Sequence, residues 1–317
     1  MKRNFVIGTR GSALALWQTE FIKSQLENRF PETHFETRVI KTTGDAILDT
    51  ALSKIGDKGL FTKQIETVLL SGEIDLAVHS LKDLQTVQPE GLCIGAVSKR
   101  ETPNDILISG KYKSIDELPP GAKVATGSLR RRSQLLNYRP DLEIFEIRGN
   151  VPTRLKKFEE SGLDAMILAF AGVHRLELDA HIAQIIPFEI MLPAVGQGAM
   201  AVEMREDDAE LREILNALDD RETRDCVTAE RAFLRTLEGG CQVPIGANAV
   251  IEADEIRLES VIGSLDGKIN LREKISGKRS DAKILGEKLA KVLIERGANE
   301  ILQLTRERIE RAEEKVI

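Results

Sequence analysis

Short apolar strands alternate with helices through the first part of the chain, and this alternation constrains its fold most. Residues 4–8 (NFVIG) are typical of a buried strand, and after a TRGS turn a helix is predicted from about Ser12, a plausible N-cap. Strands are predicted again at 35–40 and 74–78, with a helix at 61–71 between them. The pattern predicts an open, mostly parallel sheet with helices on both faces.

The alternation restarts after Pro103 and changes character near residue 220. The predicted strands of the second part are 105–109, 123–126, 143–147 and 164–169, and its predicted helices are 129–138, 152–161 and 172–178. The segment MLPAVGQGAMAVEM indicates a return to the first unit, completed by a helix at 208–218. A helix at 221–237, three alternating β segments and a helix at 280–296 then predict an α+β unit with an antiparallel sheet. The charge-rich tail from residue 301 predicts a solvated helix.

Composition excludes several classes of protein. Of 317 residues, 45 are Lys or Arg and 51 are Asp or Glu, so the net charge is −6 and a general nucleic-acid binder is disfavoured. Aromatic residues make up only 4%, too few for stacking along a nucleic-acid strand. The three cysteines are an odd number without metal-type spacing, which favours a reducing compartment over a disulfide framework. With no targeting segment or membrane span in the sequence, we expect a cytoplasmic protein.

A local excess of basic residues stands out against this acidic background. Residues 123–175 contain ten Lys or Arg and six Asp or Glu, and several of the arginines fall where predicted strands end and helices begin. Ligands of open α/β sheets bind at such ends, and arginine suits carboxylates and phosphates. Arg130, Arg131, Arg148 and Arg154 therefore favour an anionic ligand. A second set fits an ordinary solvated face: Arg132, Arg139, Lys156 and Lys157.

Three further segments contain candidate chemistry. HSLKD places Lys82 and Asp83 after a buried strand, where the carboxylate either transfers protons or caps a helix. LEGGCQVPIGA places Cys241 on a tight turn after a helix, the setting of a reactive thiolate. Segment 42–62 contains Lys54 and Lys58 and is either a lid over an anionic site or an ordinary loop. The four histidines form no metal-ligand motif.

Nine ordered segments together resemble the porphobilinogen deaminase, or hydroxymethylbilane synthase, family over nearly the whole chain. They are IGTRGSALALWQT, KTTGD, KGLFTKQIE, DLAVHSLKD, ATGSLRRRSQL, IRGNVPTRL, LAFAGVHRL, LPAVGQGAMAVE and AERAFLRTLEGGCQVPIGA. The resemblance implies two α/β domains like the lobes of a type II periplasmic binding protein, joined by a double crossover, plus a smaller C-terminal α+β domain. The expected domains are 1–98 with 199–218, 99–198, and 219–317, the last carrying the cysteine.

The resemblance also implies a transferase of tetrapyrrole (haem and chlorophyll) biosynthesis. Four porphobilinogen molecules join head to tail with loss of ammonia, and hydrolysis releases linear hydroxymethylbilane. The chain grows on a dipyrromethane cofactor that Cys241 holds through a thioether, and no metal or nucleotide is implied. We expect a monomer that binds porphobilinogen, without nucleic acid, membrane or obligate protein partner.

Site residues follow from the resemblance position by position. Asp83 is expected beside the pyrrole nitrogens, where it stabilises a cationic azafulvene-like intermediate and helps to move protons. Cofactor carboxylates are expected at Lys82, Ser128, Arg130 and Arg131, and Lys54 and Lys58 match the active-site loop. The positions that match substrate and growing-chain binding are Arg10, Ser12, Gln18, Thr126, Arg148, Arg154 and Arg175.

The sequence departs from the family at two positions near these residues. Gln85 stands where the family usually has proline, which loosens the turn after Asp83, and Gly127 replaces a serine of many members. Two competing hypotheses remain. The first is a non-catalytic two-lobed anion-binding protein. This hypothesis predicts an export signal and gives Cys241 no role. A regulatory or nucleic-acid-binding protein predicts a basic domain, against the acidic composition.

Overall fold

The computed structural model describes residues 4–42, 62–237 and 243–314 of the chain. Lys54, Lys58 and Cys241 lie outside the described residues. The strands are β1 (Asn4–Thr9), β2 (His34–Val39), β3 (Leu76–Ser80), β4 (Leu92–Val97), β5 (Asp105–Ile108), β6 (Lys123–Ala125), β7 (Glu143–Phe145), β8 (Ala165–Ala169), β9 (Ile182–Ile185), β10 (Met200–Arg205), β11 (Ile245–Glu252), β12 (Glu255–Gly263) and β13 (Asn270–Lys278). The helices are α1 (Ala13–Arg29), α2 (Lys63–Leu70), α3 (Leu129–Tyr138), α4 (Val151–Glu159), α5 (Phe170–His174), α6 (Ala209–Asn216), α7 (Arg221–Thr236), α8 (Ala282–Glu295) and α9 (Ala298–Glu314).

The chain divides into two compact units. Among the described residues, unit 1 contains 4–42, 62–101 and 198–224, and unit 2 contains the rest. The chain thus leaves unit 1 after Glu101, returns at Gly198 within the segment for which the sequence predicts a return, and leaves again after Arg224.

A five-stranded sheet in the order β2-β1-β3-β10-β4 forms the centre of unit 1. Strand β1 runs parallel to β2 and β3, whereas β10 is antiparallel to both of its neighbours. Apolar residues on one face of the sheet, such as Phe5 and Ile7, pack with Ile22 and Leu26 of α1. Helix α2 covers the other face. Because β1, β2 and β3 are parallel, their carboxyl ends lie at the same edge of the sheet.

Unit 2 contains a second five-stranded sheet with the same topology. Its order is β7-β6-β8-β5-β9, with β6 parallel to β7 and β8, and β5 antiparallel to both neighbours. In each sheet the strand in fourth place is antiparallel to its neighbours and comes soon after the chain has crossed between the units. Strand β5 follows the crossing from unit 1 to unit 2, and β10 follows the return to unit 1. This is the type II periplasmic-binding-protein arrangement, and it confirms the predicted fold of the two α/β parts.

The C-terminal part of unit 2 is the predicted α+β structure. An antiparallel sheet of order β11-β12-β13 packs with α7, α8 and α9 around a core that includes Phe233, Leu258, Leu289 and Leu293. Unit 2 therefore contains two separate sheets, and the division of the chain into three domains at the stated boundaries stays a prediction.

Three sequence predictions differ from the structure. The helix predicted at 172–178 is α5, which ends at His174, and Glu177 takes a left-handed conformation with φ 57°. Strand β9 has no counterpart among the predicted strands. The tail predicted as a solvated helix is α9, which buries Ala298, Ile301 and Leu302 in the core of the C-terminal part.

Candidate active site

A cleft in unit 1 opens where β1 and β3 end. Four residues singled out from the sequence line it: Arg10, Ser12, Gln18 and Asp83. Ser12 is the N-cap of α1, and its Oγ accepts a hydrogen bond from the Ala15 amide at 3.3 Å, as predicted. The helix therefore begins at the cleft and directs its free amide groups and positive dipole end toward it.

Asp83 closes a 3₁₀ turn, Leu81–Asp83, that directly follows β3. The turn is anchored because Leu81 and Leu84 are buried and the Leu81 amide donates to the Ala199 carbonyl at 3.0 Å. The Asp83 carboxylate is half-buried, and within the described part of the chain it makes neither a hydrogen bond nor an ion pair. An anchored, partly desolvated carboxylate without a partner is suited to accept a proton or to stabilise a cation.

Gln18 contacts Ser80, a cleft residue that the sequence analysis did not single out. Gln18 Nε2 donates to Ser80 Oγ at 2.9 Å, and Gln18 is almost fully buried. Ser80 is the last residue of β3 and the second residue of the HSLKD motif, and this position at the end of a buried strand is the signal that would have identified it. The pair connects α1 to the strand that precedes Asp83.

A buried acidic cluster lies behind the cleft. His79 Nε2 is 3.3 Å from Glu203 Oε2, and neither side chain is more than 4% exposed. Burial raises the pKa of the neighbouring Glu66, the Thr62 hydroxyl lowers it in part, and the charge of Glu203 raises it further. His79 is thus a core histidine, although it also lines the cleft.

In unit 2 the arginines Arg130 and Arg131 converge on one carboxylate, that of Asp105. Arg130 donates to it through Nη1 and Nη2, and Arg131 through Nε at 3.1 Å and Nη2 at 2.8 Å. Gln197 Nε2 adds a hydrogen bond at 2.9 Å. Burial alone would raise the pKa of Asp105, but the charges of both arginines and these hydrogen bonds lower it far below its usual range.

Backbone carbonyls hold the two guanidinium groups from other sides. Arg130 Nη1 donates to the Leu192 carbonyl at 2.8 Å, and Arg131 Nη1 to the Ile167 carbonyl at 3.0 Å. A guanidinium has five N–H groups, and these contacts use three on each arginine, so two on each are left for another acceptor within the described structure. Burial and the charge of Arg130 lower the pKa of Arg131, and Asp105 opposes this effect.

The other predicted binding residues of unit 2 follow the carboxyl ends of its three parallel strands. Thr126 and Ser128 follow β6. Ser128 is the N-cap of α3, and Arg130 and Arg131 lie in the first turn of that helix. Arg148 follows β7 and forms an ion pair with Glu146 at 3.2 Å. Arg154 lies in the first turn of α4. Buried Arg175 is the C-cap of α5, the helix that follows β8. These positions fit the edge at which α/β sheets bind ligands.

The remaining predicted residues have less specific surroundings. Lys82 is half-buried in the turn of Asp83 but does not line the cleft. Gln85, in place of proline, still forms a closed turn because its carbonyl accepts from Gln88 Nε2 at 2.9 Å. A side chain at Gly127 would meet only the Ile147 carbonyl, at 3.3 Å, so serine fits there with a small shift.

Asp105 is the main residue that sequence reasoning missed. It is fully buried at the start of β5, whose other residues Ile106, Leu107 and Ile108 are apolar. An acidic residue that opens a buried strand needs a cationic partner, and this was the available signal. In the ranges that the structure describes, no cluster of three or more His, Cys, Asp or Glu side chains is placed to hold a metal ion. None of the described helices is long and apolar enough to cross a membrane.

Comparison with solved structures finds binding proteins that are distantly similar to this chain. The methionine binding protein MetQ is 13% identical, with a TM-score of 0.43 over 72% of this chain and 95% of that chain. The periplasmic aliphatic sulphonate binding protein SsuA from Escherichia coli is 15% identical, with a TM-score of 0.39 over 75% of this chain and 71% of that chain.

Comparison of sequences is far more specific. A family model described as porphobilinogen deaminase, dipyromethane cofactor binding domain, matches residues 5–213, and one described as the porphobilinogen deaminase C-terminal domain matches 225–295. Porphobilinogen deaminase of Chloroherpeton thalassium is 56% identical over 95% of this chain and 98% of its own length. That of Pelotomaculum thermopropionicum is 54% identical over 97% and 98%. With both family models and these relatives spanning it nearly end to end, the chain belongs to the porphobilinogen deaminase family.

Proposed function

We propose that this chain is a hydroxymethylbilane synthase, a transferase of tetrapyrrole biosynthesis. It joins four porphobilinogen molecules head to tail and releases the linear product by hydrolysis. In each condensation the aminomethyl C–N bond breaks with loss of ammonia, a C–C bond forms between the freed methylene carbon and the free α-carbon of the other pyrrole, and that α-carbon loses its proton. The observation that carries this proposal is the anchored, unpartnered Asp83 carboxylate in a cleft with Arg10.

Asp83 is proposed as the catalytic residue of the condensation. Loss of ammonia leaves a pyrrole cation, and a nearby carboxylate stabilises that charge in a partly desolvated site. The same carboxylate helps to move the pyrrole protons as the new C–C bond forms. The anchored 3₁₀ turn fixes its position, which favours a defined geometry toward the substrate.

The arginines are proposed to bind carboxylates. Porphobilinogen has an acetate and a propionate group, so each condensation adds two negative charges to the growing chain. Arginine binds carboxylates with paired, charge-assisted hydrogen bonds, which explains a basic cluster in an acidic protein. The proposed substrate and chain-binding residues are Arg10, Ser12, Gln18, Thr126, Arg148, Arg154 and Arg175, and Lys54 and Lys58 are proposed for the loop.

The family model implies a dipyrromethane cofactor, and the residues present fit its chemistry. Arg130 and Arg131 each retain two N–H groups for its carboxylates, beside the Ser128 hydroxyl and near the start of α3. We propose that Lys82 also binds it and that Cys241 holds it through a thioether. When bound, the cofactor supplies the pyrrole end from which the chain grows.

We further propose that the enzyme works in the cytoplasm as a monomer without an obligate protein partner. The odd number of cysteines fits a reducing compartment. A non-catalytic anion-binding protein would have a use for the arginines but none for the half-buried, unpartnered carboxylate of Asp83.

A turnover assay with two matched variants tests the catalytic proposal. Asp83→Asn keeps the shape of the side chain and removes its charge, whereas Asp207→Asn does the same at an exposed position of the same unit. We expect Asp83→Asn to lower the rate of ammonia release from porphobilinogen by about 100-fold or more, and Asp207→Asn to leave it unchanged. Circular dichroism checks that both variants are folded. A rate near that of the parent in Asp83→Asn would remove Asp83 from the mechanism.

A further inference from the structure

Two adjacent arginine side chains in unit 2 are buried before any ligand is present. Arg130 and Arg131 are 5% and 6% exposed, and side chains of like charge placed together in a protein interior repel each other strongly. The carboxylate of Asp105 lies between them and accepts hydrogen bonds from both. An arrangement of this kind requires a permanent anion or a bound one.

We propose that Asp105 is a positioning residue: a built-in counter-ion that keeps Arg130 and Arg131 side by side and ready for the carboxylates of the cofactor. The inference rests on the proposed function for the identity of the ligand. Asp105 acts through the two arginines and does not itself contact the substrate or the cofactor.

The surroundings of Asp105 fix it as firmly as the arginines. It opens β5, where it pairs with Ala169 of β8, and its backbone carbonyl accepts from the Ile186 amide at 2.9 Å. Gln197 Nε2 bridges the Asp105 carboxylate and the Pro103 carbonyl, at 2.9 and 2.7 Å. The carboxylate is therefore held by the sheet and by a neutral side chain, independently of the arginines.

The hydrogen bonds divide each guanidinium into two parts. Three N–H groups of each arginine bind Asp105 and backbone carbonyls, and the other two are not used within the described residues. A bound carboxylate therefore adds to Asp105 rather than displacing it. Two positive charges and one negative charge leave a single net positive charge, which costs less to bury than two and still attracts an anion.

This charge count predicts a specific coupling between Asp105 and the cofactor. Without Asp105 the two arginines lack a counter-ion in the cofactor-free protein, whereas the carboxylates of a bound cofactor replace part of the missing charge. Loss of Asp105 is therefore expected to destabilise the cofactor-free form much more than the loaded form. A purely structural ion pair would affect both forms equally.

Thermal unfolding of the full chain in both forms tests the coupling. The cofactor-free form is made in cells that cannot synthesise porphobilinogen, the loaded form by adding porphobilinogen, and intact mass establishes the state of each sample. We expect Asp105→Asn to lower the Tm of the cofactor-free form by roughly 6–20 °C and that of the loaded form by less than half as much. Equal shifts in the two forms, or no shift in either, would overturn the proposal.

An exposed ion pair of the same unit supplies the matched control. Asp141 accepts from Arg139 Nε at 2.8 Å and Nη2 at 2.7 Å, and both side chains reach solvent. Asp141→Asn removes an Arg–Asp pair without leaving buried charge, so its Tm shift is expected to be small and the same with and without cofactor.

A double variant keeps the test decisive if Asp105→Asn fails to fold without cofactor. Asp105→Asn with Arg130→Met leaves one arginine in place of two and removes the repulsion. We expect this double variant to have a higher Tm in the cofactor-free form than Asp105→Asn alone, or to recover folding. A double variant that is no better than the single variant contradicts the charge argument. This comparison needs no cofactor, so it still decides the role of Asp105 if the parent chain never acquires a dipyrromethane and the proposed function fails.

Discussion

Two aspartates show at the residue scale how surroundings determine what a carboxylate does. Asp83 is half-buried on an anchored turn and has no partner among the described residues, so its charge is available to a ligand. Asp105 is fully buried, and two arginines hold its pKa far below the usual range, so it stays ionised and is unavailable for proton transfer. The first is suited to chemistry and the second to holding other residues in position.

Glu66 gives a prediction on pH, because its pKa in the folded protein is raised above 4.5. A raised pKa means that the folded state binds this proton more tightly than the unfolded state. The stability gained is complete below pH 4.5 and is lost as the pH rises through the raised value. Glu66→Gln removes that loss. The unfolding free energy of this variant minus that of the parent should therefore increase from about pH 5 to about pH 8, by about 1.4 kcal/mol for each unit by which folding raises the pKa of Glu66.

Denaturant unfolding at both pH values measures this change. Glu90→Gln, the same exchange at an exposed position of the same unit, is the control for the substitution itself. If the difference between Glu66→Gln and the parent does not depend on pH, Glu66 has an ordinary pKa in the folded protein.

At the scale of elements, helices α7 and α8 pack closely in the C-terminal part of unit 2. Gly286 of α8 lies against the backbone of α7, where an added Cβ would overlap the Ala229 carbonyl oxygen and lie 2.8 Å from the Phe233 nitrogen. The glycine permits backbone contact between the two helices. The antiparallel sheet and α9 pack around the same core.

Gly286→Ala is therefore expected to destabilise the protein, by about 1–3 kcal/mol, although alanine is the better helix former. Gly162→Ala is the matched control, because nothing lies within 4 Å of its Cβ position. That change should be neutral or stabilise by up to about 1 kcal/mol, because it restricts the unfolded chain. Urea unfolding of the two variants compares them directly, and equal effects would show that α7 and α8 are not in close contact.

Local sequence signals were sufficient for most elements. The alternation of apolar segments predicted most strands of the two α/β sheets, and Ser12 marked the start of α1, because periodicity and N-caps are local properties. The end of α5 was not predicted, because Leu176 and Leu178 continue the apolar pattern beyond His174 and pack against the same core. The contact of Asp105 with Arg130 was also beyond local reasoning, because it joins residues 25 positions apart through the sheet.

At the scale of the whole molecule, one acidic chain contains two five-stranded sheets with the same arrangement. In each, the strand in fourth place is antiparallel to its neighbours. Each sheet has three neighbouring parallel strands whose carboxyl ends precede the predicted binding residues. The topology thus places Arg10 and Asp83 at one edge in unit 1, and the arginine cluster at one edge in unit 2. Family motifs identified these residues, whereas Asp105, which binds Arg130 and Arg131, and Ser80, which binds Gln18, emerged only from the fold.

The central claim is that a linear pyrrole chain grows covalently on this protein from a cysteine-linked primer. The intact mass of the purified chain, before and after addition of porphobilinogen, tests it most directly. We predict an excess mass of two linked pyrroles on the peptide that contains Cys241, followed by increments of one pyrrole as porphobilinogen is added. A polypeptide that keeps its bare mass throughout would contradict the claim and leave a non-catalytic anion-binding protein as the better account.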